Sequence, residues 1–457
     1  MDLWRLGAGA LAAVLSAGPL PLLEPSATAT ATATAAGSVL SAGPLRLLEP
    51  SAAAADTAGS VLSAGPLRLL EPSGSAAADT AAVVPCPYAS IPTIPPTPPS
   101  PERDPAAPVV GGARLATTGL AVPPGAPAPP STSAMSWVVA DLDTGEVLGA
   151  CAPHLRRRPA SVQKLLLAAT VLPKLDPNQV VEATPADLDL PADSSLVGII
   201  AGGRYPVSTL WYGLLLQSGN DAANALARVG GGDGGVPATI AAMNAEAHRL
   251  GADDTHAVTP SGLDAPEQFT SAYDLALIAR ENLDRAAFLQ YDSALTFQWP
   301  AQPPKDPKGF QIQNENKLLT EYPGAIGGKT GFTDEARHTY VGAAKRGDRR
   351  LVVTIMGAEI VPARAWKQGT TLLDWGFTRP AGASVGHLVT PEEAARLHAP
   401  PPPSAVAEAA AAPGTAGARP AAPGRSGSFS VVALAVLVVL FASGAVVMLR
   451  RARRIRV

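Results

Sequence analysis

Apolar and polar residues alternate in two separate parts of the chain. They are "SWVVADLDTGEVLGA" at 136–150, which turns around Asp143–Glu146, and "HTYVGAAKRGDRRLVVTIMGA" at 338–358, which divides at Gly347 and Asp348. Successive side chains of a strand point to opposite faces, and Gly with Asp favours a tight turn. The two stretches therefore predict two β-hairpins.

Between and after these hairpins the apolar residues recur every three to four positions, which is typical of amphipathic helices. The spacing predicts helices at 161–172, 207–217, 221–229, 237–250, 271–282 and about 362–375. Strands at both ends of a region with helices between them predict an α/β (α+β) domain. We expect an antiparallel β-sheet flanked by helices over residues 134–390.

The sequence before this domain has a different composition. Residues 1–35 resemble an export signal, with Arg5 followed by an apolar run and small residues. Residues 36–133 are rich in Ala and Pro and are predicted to be a disordered spacer, with one possible edge strand in "VVGGARLATTGLAV". The unit "VLSAGPLRLLEPS" occurs at 39–51 and 61–73, and a near copy begins at Val14.

The C-terminal end predicts a membrane anchor. Residues 391–428 are Pro- and Ala-rich and are expected to form a tether. Residues 429–449 contain no charged residue, and about 20 apolar residues suffice for a helix to cross a bilayer. The basic tail at 450–457 predicts a cytoplasmic C-terminus, so the domain would lie outside a single-pass cell membrane span.

Charge and cysteine content narrow the alternatives. The formal net charge is −3 and the pI about 6.1, and no basic face precedes the tail, so no nucleic-acid partner is expected. The six histidines lack the spacing of a metal site, and no metal or cofactor is predicted. Cys86 and Cys151 are the two cysteines, and a disulfide and two unpaired thiols both remain open.

Candidate chemistry begins in "RRRPASVQKLLLAATV" at 156–171. A serine at the start of a helix is most simply its cap. Positions three apart share a helix face, however, so Lys164 could reach Ser161, and the following leucines provide an apolar setting that would lower the pKa of an amine. Ser161 is therefore either a cap or a nucleophile with Lys164 as its base.

Two further fragments favour the nucleophile. "SGN" places Ser218 and Asn220 between two predicted helices, and "KTG" places Lys329 at the opening of a predicted strand. With "SVQK", these resemble the three motifs of the penicillin-recognising serine acyltransferases. Within that superfamily the chain is similar to the low-molecular-mass serine D-alanyl-D-alanine carboxypeptidases, in particular to their membrane-anchored actinobacterial forms, from Ser136 to about Phe377.

The resemblance implies a β-lactamase/DD-peptidase-like fold and an enzyme that removes the terminal D-alanine from peptidoglycan stem peptides. It implies that Ser161 forms an acyl-enzyme, that Lys164 takes its proton, and that Ser218 relays a proton to the leaving amine. The implied substrate-binding residues are Asn220 for the peptide amide, Lys329 and Thr330 for the terminal carboxylate, Gly331 for close approach of the strand, and Phe332, which with Ser161 supplies the oxyanion hole.

The same resemblance implies β-lactam antibiotics as covalent inhibitors. Two alternatives stay open at this point: a serine β-lactamase of the same fold and a catalytically silent wall-binding protein. "SGN" in place of a second-motif aspartate and the lack of an "ExxLN" segment disfavour the lactamase.

Overall fold

A central sheet runs through the domain, and all of its strand pairs are antiparallel. The computed structural model describes residues 83–89, 98–102 and 108–399. The strand order of the sheet is β1-β3-β2-β10-β9-β8, and β11 also pairs with β3. The pairs β4–β5 and β6–β7 form two small two-stranded antiparallel sheets. The strands are β1 (Leu120–Ala121), β2 (Ser136–Asp141), β3 (Glu146–Cys151), β4 (Val180–Glu182), β5 (Arg204–Pro206), β6 (Thr296–Trp299), β7 (Phe310–Gln313), β8 (Ala325–Thr333), β9 (Arg337–Arg346), β10 (Arg349–Ala358) and β11 (Gly386–His387).

Helices cover both faces of the sheet. The helices are α1 (Lys164–Val171), α2 (Val207–Leu216), α3 (Asn220–Gly230), α4 (Gly235–Leu250), α5 (Ala272–Leu283), α6 (Ala286–Asp292), α7 (Leu318–Glu321), α8 (Ala365–Phe377) and α9 (Pro391–His398). Alternate residues of β2 enter two cores: Val138 packs with α1 and α5 on one face, and Trp137 packs with α8 on the other. The predicted alternation of β2 thus separates two buried faces, and the expected antiparallel α/β architecture is confirmed.

Most predicted elements lie within a few residues of those observed, with two instructive differences. The helix expected at 161–172 begins with a 3-10 turn at Ala160–Gln163, and the α-helical part starts only at Lys164. The "KTG" residues lie inside β8, which pairs with β9 from Ala325 to Thr333, and not at the opening of a strand. Their position inside a paired strand fixes the direction of each side chain through the register.

The ordered domain extends beyond the predicted limits of 134 and 390. Leu115 is fully buried, and β1 forms the predicted edge strand beside β3. At the other end, Thr390 and Glu393 form a capping box that starts α9, and Ala394 is buried against the domain. Burial of apolar side chains in both segments explains why composition alone misplaced these limits.

A disulfide joins Cys86 to Cys151 on β3, which settles the question that the sequence left open. Residues 83–89 therefore lie against the β1 side of the sheet, where the Leu120 amide donates to the Val84 carbonyl at 2.7 Å. The predicted export signal at 1–35, the membrane span at 429–449 and the basic tail at 450–457 lie outside the described residues. Within the described ranges, no helix has the length and apolar character needed to traverse a bilayer.

Candidate active site

A cleft of about 880 Å³ opens where β8 meets the 3-10 turn at Ala160–Gln163. Five of the eight predicted site residues line it: Ser161, Ser218, Thr330, Gly331 and Phe332. The other three, Lys164, Asn220 and Lys329, are buried, and hydrogen bonds or charge connect them to the cleft residues. Folding has thus brought together three motifs that are far apart along the chain.

Ser161 is not a helix cap. The N-cap positions of the 3-10 turn and of α1 are Pro159 and Gln163, and neither makes a side-chain capping hydrogen bond. The preceding Ala160 has a φ of 49°, an uncommon value for a residue with a Cβ. Backbone strain of this kind persists where the surrounding structure imposes it, often at functional sites. Here it directs the Ser161 side chain into the cleft.

Lys164 lies one turn after Ser161, and its amine has three oxygen neighbours. The Nζ atom is 2.8 Å from Ser161 Oγ, 2.7 Å from Asn220 Oδ1 and 2.9 Å from the Ser261 carbonyl oxygen. A neutral amine has two N–H donors and one lone pair. The amide oxygen of Asn220 and the carbonyl of Ser261 can only accept, so they take the two donors, and the lone pair is left for the Ser161 hydroxyl.

Burial favours the neutral form of the Lys164 amine. Lys164 is fully buried, and burial, followed by the charge of Lys329, holds the pKa of Lys164 well below the usual value of a lysine. Burial also lowers the pKa of Lys329 to about 8. Both shifts arise because an ammonium loses hydration inside the protein. The two lysines therefore differ: Lys329 is the cation and Lys164 the candidate base.

Ser218 has a strained backbone and a hydroxyl without a partner. Its φ is 58°, and its buried Oγ makes no hydrogen bond to any other described group. A buried hydroxyl without a partner carries a desolvation penalty of about 1–3 kcal/mol. Because Ser218 lines the cleft, a bound substrate group can supply the missing hydrogen bond.

Gly331 permits contact between β8 and the 3-10 turn that carries Ser161. A Cβ at this position would lie 2.4 Å from Thr339 Oγ1 and 2.8 Å from the Ser161 amide nitrogen. Any side chain would therefore push the strand away from the turn. The resemblance assigns the close approach of Gly331 to a substrate peptide, whereas the structure places it against Ser161 itself.

Lys329 of the "KTG" motif lies behind the residues that line the cleft. Lys329 is 2% exposed, and its Nζ donates to the Thr330 carbonyl oxygen at 2.8 Å. Arg364, at the start of α8, lines the cleft together with Thr330, and none of the described groups forms a hydrogen bond with its side chain. Sequence analysis did not single out Arg364, because no motif links it to Thr330 and only tertiary folding brings the two together.

Two residues outside the three motifs, Ser261 and Asp221, also shape the site. The turn at Pro260–Gly262 contributes the Ser261 carbonyl, which accepts a hydrogen bond from Lys164. The carboxylate of Asp221 accepts from the amides of Val197, Gly198 and Ile199, and so fixes the loop that borders the cleft near Ser195. A carboxylate can accept several such bonds because it has two oxygens with two lone pairs each.

Contacts of the run Arg156–Arg158 fix the chain just before Ser161. Arg157 is 1% exposed, and its backbone forms an antiparallel bridge with Thr270. Arg156 pairs with Asp254 at 2.8 Å, and Arg158 pairs with Glu335. These contacts anchor the segment that leads to Ser161.

Among the described residues, two groups offer donors of the kind that bind metals. They are His154 with Asp254 and Asp274, and His248 with Asp253 and His398. In each group a histidine is hydrogen-bonded to an aspartate, and none of these residues lines the cleft. The cleft chemistry described above depends only on hydroxyl, amine, amide and guanidinium groups.

Comparisons with known proteins agree with this geometry. The family model of D-alanyl-D-alanine carboxypeptidases matches residues 124–360. The chain is 45% identical over 263 residues to D-alanyl-D-alanine carboxypeptidase DacB2 of Mycobacterium tuberculosis, spanning 57% of this chain and 87% of that protein.

Solved structures show the same likeness. A D-alanyl-D-alanine carboxypeptidase from Mycobacterium tuberculosis superimposes with a TM-score of 0.55 at 43% identity, and the match covers 59% of this chain and 100% of that one. The Streptomyces K15 DD-transpeptidase superimposes with a TM-score of 0.53 at 29% identity, over 55% of this chain and 100% of that one.

Proposed function

The chain belongs to the family of D-alanyl-D-alanine carboxypeptidases, and on that premise we propose that it trims peptidoglycan stem peptides through an acyl-enzyme at Ser161. Ser161 Oγ attacks the carbonyl carbon between the two terminal D-alanines. The peptide bond breaks, D-alanine leaves with its amine protonated, and water then hydrolyses the ester. β-Lactam antibiotics acylate the same hydroxyl.

One observation carries this proposal: the arrangement around the Lys164 amine. Two acceptors occupy its N–H groups, and its remaining position faces the Ser161 hydroxyl at 2.8 Å. A base within hydrogen-bond distance and with a lowered pKa is the requirement for activating a serine at neutral pH. The depressed pKa of Lys164 meets the second condition.

The developing oxyanion is stabilised by backbone amides. The Ser161 amide lies beside Gly331 on β8, and the next residue, Phe332, lines the cleft. Two amides aimed at one oxygen typically contribute several kcal/mol to the transition state. The substrate peptide extends along β8, since none of the strands described here pairs with the outer side of β8.

We assign the terminal carboxylate of the substrate to Thr330 and Arg364, which both line the cleft. A guanidinium and a hydroxyl are suitable partners for a carboxylate, and the Arg364 side chain has no other partner among the described groups. Lys329 acts there through its charge, from behind the residues that line the cleft. Ser218, whose hydroxyl has no partner, passes the proton toward the leaving amine.

We propose further that this catalytic domain works outside the cell, held at the membrane by the apolar segment 429–449. The disulfide between Cys86 and Cys151 supports an oxidising compartment, because such bonds persist mainly in exported proteins.

The test uses the purified chain without its apolar segment, since the described domain ends before that segment. One sample receives a fluorescent penicillin and another a pentapeptide that ends in D-Ala-D-Ala. We expect stable labelling and release of D-alanine, both abolished by Ser161→Ala. Thr371→Ala, on the outward part of α8, is a matched hydroxyl control and should leave both activities intact.

Other outcomes would contradict the proposal in distinct ways. Rapid loss of the label would identify a β-lactamase. Labelling without release of D-alanine would leave a transpeptidase or a binding protein. Labelling that persists in Ser161→Ala would exclude Ser161 as the nucleophile.

A further inference from the structure

A buried carboxylate lies directly behind the third motif, and the proposed mechanism makes no use of it. Asp292 is the last residue of α6 and is fully buried. Its Oδ2 accepts from the Gly328 amide at 2.7 Å, one residue before Lys329. Its Oδ1 has no hydrogen-bond partner among the described groups. Burying a carboxylate with one unpaired oxygen lowers the stability of the fold, so we expect this position of Asp292 to serve a function.

The backbone at this point is shaped around the carboxylate. A Cβ at Gly327 would lie 2.3 Å from Asp292 Oδ2, so this glycine leaves the space that the carboxylate occupies. Gly328 has a φ of 145°, and a Cβ there would lie 2.2 Å from the Val341 carbonyl oxygen. The two glycines before Lys329 thus let β8 pass close to Asp292 on one side and to β9 on the other.

The groups around Asp292 are mostly uncharged. Tyr340 of β9 is buried and donates its hydroxyl hydrogen to Asn316, and Leu283 of α5 packs beside Gly327. Helix α2 contributes Tyr212, whose ring contacts Tyr291 next to Asp292. Lys329 of β8 is the cation whose charge acts on the carboxylate.

The carboxylate and the lysine influence each other. Burial raises the pKa of Asp292 to about 7, against the opposing effects of the Gly328 amide and Lys329. Burial lowers the pKa of Lys329 to about 8, against the charges of Glu315 and Asp292. Near pH 8 Asp292 is therefore mostly ionised, and its negative charge favours the ammonium form of Lys329.

We propose that Asp292 is a positioning residue for the acylation of Ser161: it holds the Gly327–Gly328 backbone in place and keeps Lys329 in its charged form. This inference rests on the proposed function, because it assigns Lys329 an electrostatic role under the carboxylate site. Asp292 touches neither substrate nor nucleophile and acts through Lys329. Glu315, which is exposed in the cleft, supports the same charge from the solvent side.

The experiment measures the rate of Ser161 acylation by a fluorescent penicillin from about pH 5.5 to about pH 9.5. Asp292→Asn keeps an oxygen that can accept from Gly328 and removes the charge. We expect its rate to stay near that of the wild type on the acid side, and the fall on the alkaline side to move about one unit to lower pH. Asp292→Ala removes the acceptor as well and should be slower at every pH.

Asp284→Asn is the matched control. Asp284 follows α5, its side chain is 51% exposed, and it pairs with Arg350, so its loss should leave the pH profile unchanged. An unshifted alkaline limb in Asp292→Asn, or an equal loss at all pH values, would overturn the inference while wild-type labelling still supported the proposed function. Absence of labelling in the wild type would overturn both.

A second measurement does not depend on acylation. In protein labelled with ¹³C at the lysine ε-carbons, the Lys329 signal should titrate with a lower midpoint in Asp292→Asn than in the wild type, because the variant lacks the negative charge that favours the ammonium. Equal midpoints in the two proteins would show that Asp292 does not act on Lys329, and would overturn the inference.

Discussion

The two edges of the central sheet differ in whether another segment covers them. At one edge, the two-residue strand β1 is covered by the segment around Val84, which the disulfide between Cys86 and Cys151 holds in place. At the other edge, β8 presents Thr330 and Gly331 to an open cleft. An uncovered edge strand is a liability for aggregation unless it has a function. From this difference we expect the covered edge to contribute stability and the open edge to carry the proposed chemistry.

The largest expected effect comes from the open edge. Lys164→Met replaces the buried amine by an apolar side chain of similar length and removes the base next to Ser161. We expect acylation by penicillin to fall by about 10³-fold or more, in the upper range for loss of a general base. Single-turnover labelling measures the rate, and the unfolding midpoint in urea tests whether the variant is folded.

If Lys164→Met folds and its acylation rate lies within tenfold of the wild-type rate, Lys164 is not the base. Lys164→Met leaves the buried Asn220 amide oxygen and the Ser261 carbonyl without their donor, at a cost of about 1–3 kcal/mol for each group, so the urea midpoint has to be measured beside the rate. Lys174→Met, an exposed lysine beyond the end of α1, is the matched control and should leave the rate unchanged.

The covered edge should respond in stability alone. Cys86→Ser with Cys151→Ser opens a cross-link between positions 65 residues apart. We expect the free energy of unfolding to drop by about 2–4 kcal/mol, the usual range for loss of a native disulfide. Chemical denaturation of oxidised wild type and double variant gives the difference.

Acylation of the double variant should stay within about twofold of the wild type at 25 °C, since most of the sheet separates β1 from β8. A tenfold loss would show that the two edges are coupled. Stability and reactivity could then no longer be assigned to separate edges of the sheet.

Gly331→Ala tests how closely the open edge must approach the nucleophile. The added methyl group would lie 2.8 Å from the Ser161 amide nitrogen and 2.4 Å from Thr339 Oγ1, so the strand or the turn must shift. A misplacement of about 1 Å at an active site can cost about 10²-fold in rate. We expect that loss in acylation with a smaller loss in stability.

Gly347→Ala is a useful comparison for this variant. Gly347 lies in the hairpin turn between β9 and β10, and nothing lies within 4 Å of a Cβ there, although its φ of 58° strains an alanine. Stability should therefore fall in both variants, while acylation should fall in Gly331→Ala alone. Equal acylation rates would show that the contact between β8 and the turn is not required.

Sequence analysis predicted the long elements and singled out the five motif residues Ser161, Lys164, Ser218, Asn220 and Lys329, which the fold brings to one cleft, because periodicity and local spacing suffice for both. It missed short α6 and α7, which have too few turns for a periodic signal. It assigned α9 to the tether by composition, although Thr390 and Glu393 have the spacing of a capping box.

The missed parts of the site are contacts between distant segments. Arg364, the Ser261 carbonyl and Asp292 reach the motifs only through tertiary folding, from α8, a turn and α6. None of them has a local pattern that indicates its role. Spacing along a chain can single out a serine with a lysine one turn away, whereas the groups that tune their charge depend on the packing of the whole domain.

The smallest expected effect belongs to the middle of the molecule, away from both edges. Ser271 caps α5, and its hydroxyl oxygen accepts from the Asp274 amide at 3.1 Å. Ser271→Ala should lower the free energy of unfolding by about 1 kcal/mol, the usual loss for a helix cap, and should leave acylation unchanged. Ser271→Thr keeps a capping hydroxyl and should recover part of the stability. If Ser271→Ala slowed acylation tenfold, α5 would transmit strain to the cleft through its packing on β10, and chemistry could no longer be assigned to the open edge alone.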